Sequence, residues 1–168
     1  MKNSTKKLTV LSLTVSVAMI LSYVESLIPP LMAVPGVKIG LSNIATVFAL
    51  YSLGIPSAIA VSLVRVVLSA LLFGNVASLI YSLSGAALAL VFMCLIRRVH
   101  LFSTVGVSVV GGVAHNTGQI IAACVVLNSS AISVYLAPLI VSGTVAGILV
   151  GIASGILILR TGKYPNVK

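Results

Sequence analysis

Along this chain, long apolar runs alternate with short clusters of polar residues, glycine and proline. A run of about 20 apolar residues is the length that crosses the hydrocarbon of a bilayer as a helix. Six segments of this kind are expected, at about Leu8–Leu27, Ile39–Leu53, Ser57–Phe73, Val76–Ile96, Thr104–Leu127 and Ser133–Leu159. The second is rather short, and the sixth is long enough to tilt or project. Chain breakers fall where the runs end: Pro29-Pro30, Gly54-Ile55-Pro56, Gly74-Asn75, Asn128-Ser129-Ser130 and Gly162. The pattern predicts an all-α integral membrane protein, a six-transmembrane-helix bundle forming one domain over residues 1–168. Met1–Lys7 and the run behind it resemble a signal peptide. No small-residue cleavage site follows and the prolines come next, so an uncleaved first helix is expected.

The basic residues orient this bundle. Lys2, Lys6 and Lys7 precede the first segment, Arg97 and Arg98 follow the fourth, and Arg160, Lys163 and Lys168 follow the sixth. With six crossings all eight fall on one side, and the other side receives only Lys38. Basic loops stay in the cytoplasm, so both termini are expected there. Five or seven crossings would scatter the bases over both faces.

Composition then removes most alternatives. Glu25 is the one acid among 168 residues, against ten Lys and Arg, and 60% of the chain is hydrophobic. Mean hydropathy is +1.27. Catalysis by paired carboxylates and magnesium held by clustered acids both need more acids than this. The net charge of +9 does not point to nucleic acid, because the bases sit at segment ends. Cys94 and Cys124 lie in apolar segments at a spacing that suits neither zinc nor a redox pair. With histidines so sparse, no metal site and no cofactor are expected. His100 sits beside Arg97 and Arg98 in a loop and reads as solvated.

Two stripes of small residues stand out. Gly143, Gly147, Gly151 and Gly155, spaced by four, share one face of the sixth segment. Small residues let helix backbones approach closely where apolar burial gives little net drive. Packing against a neighbouring helix of this chain is the simpler reading, and contact with another subunit the alternative. Thr14, Ala18 and Ser22 form a weaker stripe on the first segment.

The polar residues inside the runs need a reason to be there. Arg65 lies mid-way along the third segment, where a charge costs at least about 2.5–3.5 kcal/mol on insertion scales. It must face a wet cavity, a partner or a ligand. Pairing with Glu25 is one account and an anionic ligand the other; Glu25 cannot neutralise both Arg65 and Lys38, which favours the ligand. Glu25 and Lys38 are placed at the outer ends of the first two segments, where they can pair across the rim of a cavity. His115 and Gln119 share a face of the fifth segment and Asn116 lies about 100° round. Either they make interhelical hydrogen bonds or they line a cavity at the depth of Arg65. Residues 35–40 lead into the second helix near Asn43, and a helix start offers N–H groups to an anion. Tyr81, Ser82 and Ser84 can add hydroxyls or simply pack.

Pro35-Gly36-Val37-Lys38-Ile39-Gly40-Leu41-Ser42-Asn43-Ile44, Gly54, the Arg65 helix ending in Phe73-Gly74, and Gly111-Gly112-Val113-Ala114-His115-Asn116-Thr117-Gly118-Gln119 together resemble a bacterial family. It is the Gx transporter family, also catalogued as heptaprenyl diphosphate synthase component I. The resemblance covers roughly Leu8–Leu159, and the His-Asn-x-x-Gln segment is its most specific part. The family is similar to the substrate-binding S components of energy-coupling-factor (ECF) transporters. That similarity implies six spans with both ends cytoplasmic in a bacterial cell membrane, and a loop after the first helix that covers an outward-facing pocket. It also implies that Thr14, Ala18 and Ser22 form a partner interface with a transmembrane coupling subunit, which engages ATPase subunits.

These readings converge on a membrane-embedded substrate-binding or transport subunit, not an enzyme. A small anionic or amphipathic molecule enters from outside. Arg65 is expected to hold its charge, with His115, Asn116, Gln119 and Tyr81 giving hydrogen bonds, Lys38 and Asn43 at the mouth, and Glu25 as a rim partner. The catalogue name suggests another role, a non-catalytic membrane partner of a prenyl diphosphate synthase in isoprenoid or quinone biosynthesis. The chain has no aspartate to bind the magnesium such synthases use, and no G-x-x-x-x-G-K-[ST] loop. Vitamins, flavin-related compounds and isoprenoid precursors all remain open as substrates.

Overall fold

The structure, a computed structural model, describes residues 2–27, 40–99 and 101–161. Lys38, the 35–39 loop residues, His100 and the basic residues beyond Thr161 lie outside that set. The described residues form α1 (Lys2–Ser26), α2 (Asn43–Ser52), α3 (Ile55–Phe73), α4 (Val76–Arg98), α5 (Thr104–Val126), a 3-10 turn (Ser130–Tyr135) and α6 (Leu136–Thr161). Among them there is no strand. Five helical segments are long and apolar enough to cross a membrane: those within α1, α3, α4 and α5, and the one spanning Ser130–Thr161. The exception is α2. It has ten residues, about 15 Å at 1.5 Å per residue, or half of a roughly 30 Å hydrocarbon core. The expected second crossing is thus a half-length helix in the described region.

Local chemistry sets the helix ends. Gly54 joins α2 to α3 at φ +94°, a conformation that favours glycine, and Pro56 sits in the first turn of α3, where a missing N–H costs nothing. Asn75 starts α4 with a reciprocal cap: its Oδ1 accepts from Ser78 N at 2.8 Å, and Ser78 Oγ accepts from Asn75 N at 3.2 Å. Ser103 Oγ accepts from Gly106 N at the start of α5. Asn128, at φ +46°, turns the chain out of α5, and Ser129 N closes back on Cys124 O.

The helices close a ring in the order α1, α3, α4, α5, α6, α2, with α2 also against α3 and α5. Glycines set the closest approaches. A Cβ built on Gly147 would lie 2.6 Å from Val109 Cα, one on Gly151 2.6 Å from Val105 Cα, and one on Gly112 2.5 Å from Gly143 O. So Gly143, Gly147 and Gly151 face α5 of the same chain, while Gly155 meets open space. The α4–α5 seam works the same way: a Cβ on Gly85 would sit 2.7 Å from His115 O, and one on Gly118 2.7 Å from Ser84 O. Any side chain at these points pushes backbone against backbone.

Two apolar clusters fill the ring. One gathers Val47, Leu50, Val61, Ala89, Met93, Val107 and Val150; the other gathers Tyr81, Ile120, Ala123, Ile132 and Leu139. Large apolar side chains such as Leu13, Leu71, Val125 and Leu149 point outward from every long helix, as lipid contact requires.

Candidate functional site

On α4 and α5 buried polar residues lie between the two clusters, and further buried polar residues stand on α3 and at the start of α2. On α4, Ala89 and Met93 belong to the first cluster and Tyr81 to the second, with Ser82 and Gly85 between them. On α5, Val107 and Ile120 mark the two clusters, with His115 and Asn116 between and Gln119 beside Ile120. Arg65 is one turn beyond Val61 on α3, and Ser42 and Asn43 stand where α2 begins. All of these polar side chains are buried. Arg65 is the middle of a 19-residue helix, so α2 starts at mid-depth. Its other end is fixed by Arg97, whose Nη1 donates to Leu50 O at 2.6 Å and whose guanidinium lies 5.0 Å over the Tyr51 ring.

Arg65 is 3% exposed. Its Nη1 donates to Ser42 Oγ at 2.5 Å, while Nε and Nη2 have no hydrogen-bond partner among the described residues. Ser42 occupies the N-cap position of α2 with helical backbone angles, and its hydroxyl does not cap the helix but accepts from Arg65. The expected free N–H groups at this helix start are absent: Asn43, Ile44 and Ala45 N–H turn back onto the carbonyls of Gly40, Leu41 and Ser42. The α2 end therefore contributes its dipole and not open donors.

Glu25, expected at a rim, is inside. It is 5% exposed, its Oε1 accepts from Gly40 N, and its Oε2 has no partner among the described residues. It forms no direct hydrogen bond to Arg65. Instead the three-residue segment Gly40–Ser42 links the two charges, anchored to the acid at one end and to the guanidinium at the other. Glu25 therefore sits inside the packing of α1 against α2 and α3; the pairing expected with Lys38 lies outside the described residues.

On α5 the amides differ. Asn116 Nδ2 donates to Leu139 O of α6 at 2.7 Å, leaving Oδ1 without a partner among the described residues. Gln119 has no measurable exposure, and neither its oxygen nor its nitrogen has a partner among the described residues. An unmet buried amide costs on the order of 1–3 kcal/mol, so a water or a ligand belongs there. His115 and Gln119 both face Gly85 of α4. Tyr81 packs in the second apolar cluster.

Thr14, Ala18 and Ser22 were expected on a partner-facing surface. They are buried at 6%, 0% and 1% exposure, because α1 turns this face onto α2 and α3. The outward face of α1 carries Leu13, Val17, Ile20 and Val24. Sequence reasoning missed Ser42, whose signal was a serine directly before a helix start. It also missed Gly85 and Gly118, which spacing within one helix does not mark as a pair, and Arg97, which it read only as a topology signal.

A family model described as heptaprenyl diphosphate synthase component I matches residues 14–157. No curated protein and no solved structure matches the chain.

Proposed function

The chain belongs to the heptaprenyl diphosphate synthase component I family, and we propose that it is a membrane-embedded substrate-binding or transport subunit for a small anionic or amphipathic molecule. One observation carries this reading: Arg65 is buried at mid-depth with two guanidinium nitrogens unmet among the described residues. Buried guanidinium donors left without an acceptor are costly, and an anion supplies acceptors for both. The half-length α2 adds the positive end of its dipole at the same level, an arrangement suited to anionic groups at the bilayer midplane. Gln119 and Asn116 supply unmet amide atoms for the ligand's polar part.

In this reading the chain makes six crossings, both termini face the cytoplasm of a bacterial cell, and the ligand enters from outside to reach Arg65 and Asn43. The protein catalyses no reaction of its own, and energy comes from a separate coupling subunit with ATPase subunits, resembling an ECF arrangement. That partner would meet the lipid-facing side of α1. The family's description favours a second reading, a non-catalytic membrane partner of a prenyl diphosphate synthase. Co-purification separates the two: ATPase and coupling subunits support the first, a soluble prenyl synthase the second.

Native mass spectrometry of the gently purified protein tests the site. Wild type is expected to retain a small anion. Arg65→Gln keeps hydrogen-bonding capacity without the charge and is expected to lose about 2–5 kcal/mol of affinity while still folding, since it removes an intramembrane charge. Full retention of the anion by a folded Arg65→Gln protein would refute the site.

A further inference from the structure

Arg65 and Glu25 are the charged side chains buried in the described interior, and their sum is zero when Glu25 is ionised. An anion arriving at Arg65 would bring the sum to minus one, and an uncompensated buried charge is strongly disfavoured. One proton restores balance. Glu25 is placed to take it: its Oε1 is occupied by Gly40 N–H, and its Oε2 is free among the described residues.

We propose that anion binding at Arg65 is coupled to the uptake of one proton by Glu25, so that the protein takes in proton and anion together as an electroneutral pair. The inference rests on the reading of Arg65 as an anion site. A proton from the outer solution adds to Oε2 and forms an O–H bond; nothing leaves, and Oε1 goes on accepting from Gly40. The carboxylate would have repelled the anion. The carboxylic acid offers it a donor. The link between the two groups is short, because Gly40 touches Glu25 and Ser42 touches Arg65.

Few other groups can compete. The elements packed on α1 are α2 and α3. On α3 the charged residue is Arg65, α2 has none, and Tyr51 lies at the far end of α2 from Gly40. On α1 itself the nearest titratable group is Tyr23, which packs against Phe73, and the lysines are at its other end. His115 is on α5, which does not pack against α1.

The test uses the full chain in lipid nanodiscs, with strong-acid monoanions as probes, from methanesulfonate to hexanesulfonate. These do not protonate near neutrality, so any proton counted belongs to the protein. Titration calorimetry in buffers of different ionisation enthalpy, between about pH 5 and 9, gives protons taken up per anion bound. Wild type is expected to approach one proton per anion somewhere in that window. Where one proton is taken up per anion, affinity should fall roughly tenfold per unit rise in pH, because each binding event must draw a proton. Glu25→Gln, which keeps an acceptor for Gly40, should bind with no proton uptake and a flat pH profile. If wild type binds without net proton uptake throughout, or if folded Glu25→Gln still takes up a proton, the coupling is wrong while the anion site stands. If no probe binds wild type, the anion site itself falls, and the coupling with it. Should Glu25→Gln fail to fold, the wild-type proton count alone decides.

Discussion

Replacing Gly147 by alanine tests the packing of the bundle at its tightest seam. The added Cβ would lie 2.6 Å from Val109 Cα, 3.0 Å from Ser108 O and 3.1 Å from Val109 N. Ordinary contact begins at 3.4 Å, so α5 and α6 must separate locally by 0.8 Å (3.4 less 2.6). The opposing atoms are backbone and cannot swing aside. Overpacking of this kind costs about 1–3 kcal/mol. Alanine also favours the helix over glycine by up to about 1 kcal/mol, which hides part of the loss. Gly155→Ala removes that ambiguity: its Cβ meets nothing within 4 Å, yet it gains the same propensity. The difference between the two variants should therefore be about 1–3 kcal/mol, with Gly147→Ala the less stable. Reversible unfolding by sodium dodecyl sulfate in mixed micelles, followed by far-ultraviolet circular dichroism, measures it. Two variants of equal stability, within about 0.5 kcal/mol, would show that α6 does not dock on α5 through this stripe.

Arg97→Met should remove the cap on Leu50 O and the contact over Tyr51, at about 1–3 kcal/mol. Hydrogen exchange should quicken in α2 but not in α5 or α6, and unchanged exchange in α2 would contradict the latch. For topology, a thiol placed at Ser129 should be labelled from outside intact cells and one at Thr161 should not; the reverse pattern would move the ligand's entry to the cytoplasm.

Membership of the membrane class was legible from the length of the apolar runs, since no soluble core needs so much apolar surface with a single acid. The helix ends were legible too, because Gly54, Pro56, Asn75 and Asn128 act through local backbone chemistry that no distant contact overrides. Arg65 stood out for the same reason: a charge in the middle of an apolar run is costly wherever the helix is placed.

Which way each helix faces was not legible. In a membrane the core and the lipid are both apolar, so the buried side of a helix carries little mark in its hydrophobic pattern. Thr14, Ala18 and Ser22, which the family resemblance assigned to a partner interface, lie inward among the described residues. Gly111, Gly112 and Gly118 read as part of one motif, yet Gly111 and Gly118 meet α4 and Gly112 meets α6. Depth was hidden as well. Only the contacts of Ser42 with Arg65 and of Leu50 with Arg97 show that α2 is a short helix that begins beside the middle of α3. The burial of Glu25 followed from that, because its partner is the backbone of Gly40, and a backbone N–H has no signature in a sequence. Apolar length and local breakers determine that this chain enters a membrane and where it turns. Helix rotation, helix depth and the meeting of one acid with one arginine through three intervening residues depend on contacts between segments distant in the chain, and only the tertiary structure decides them.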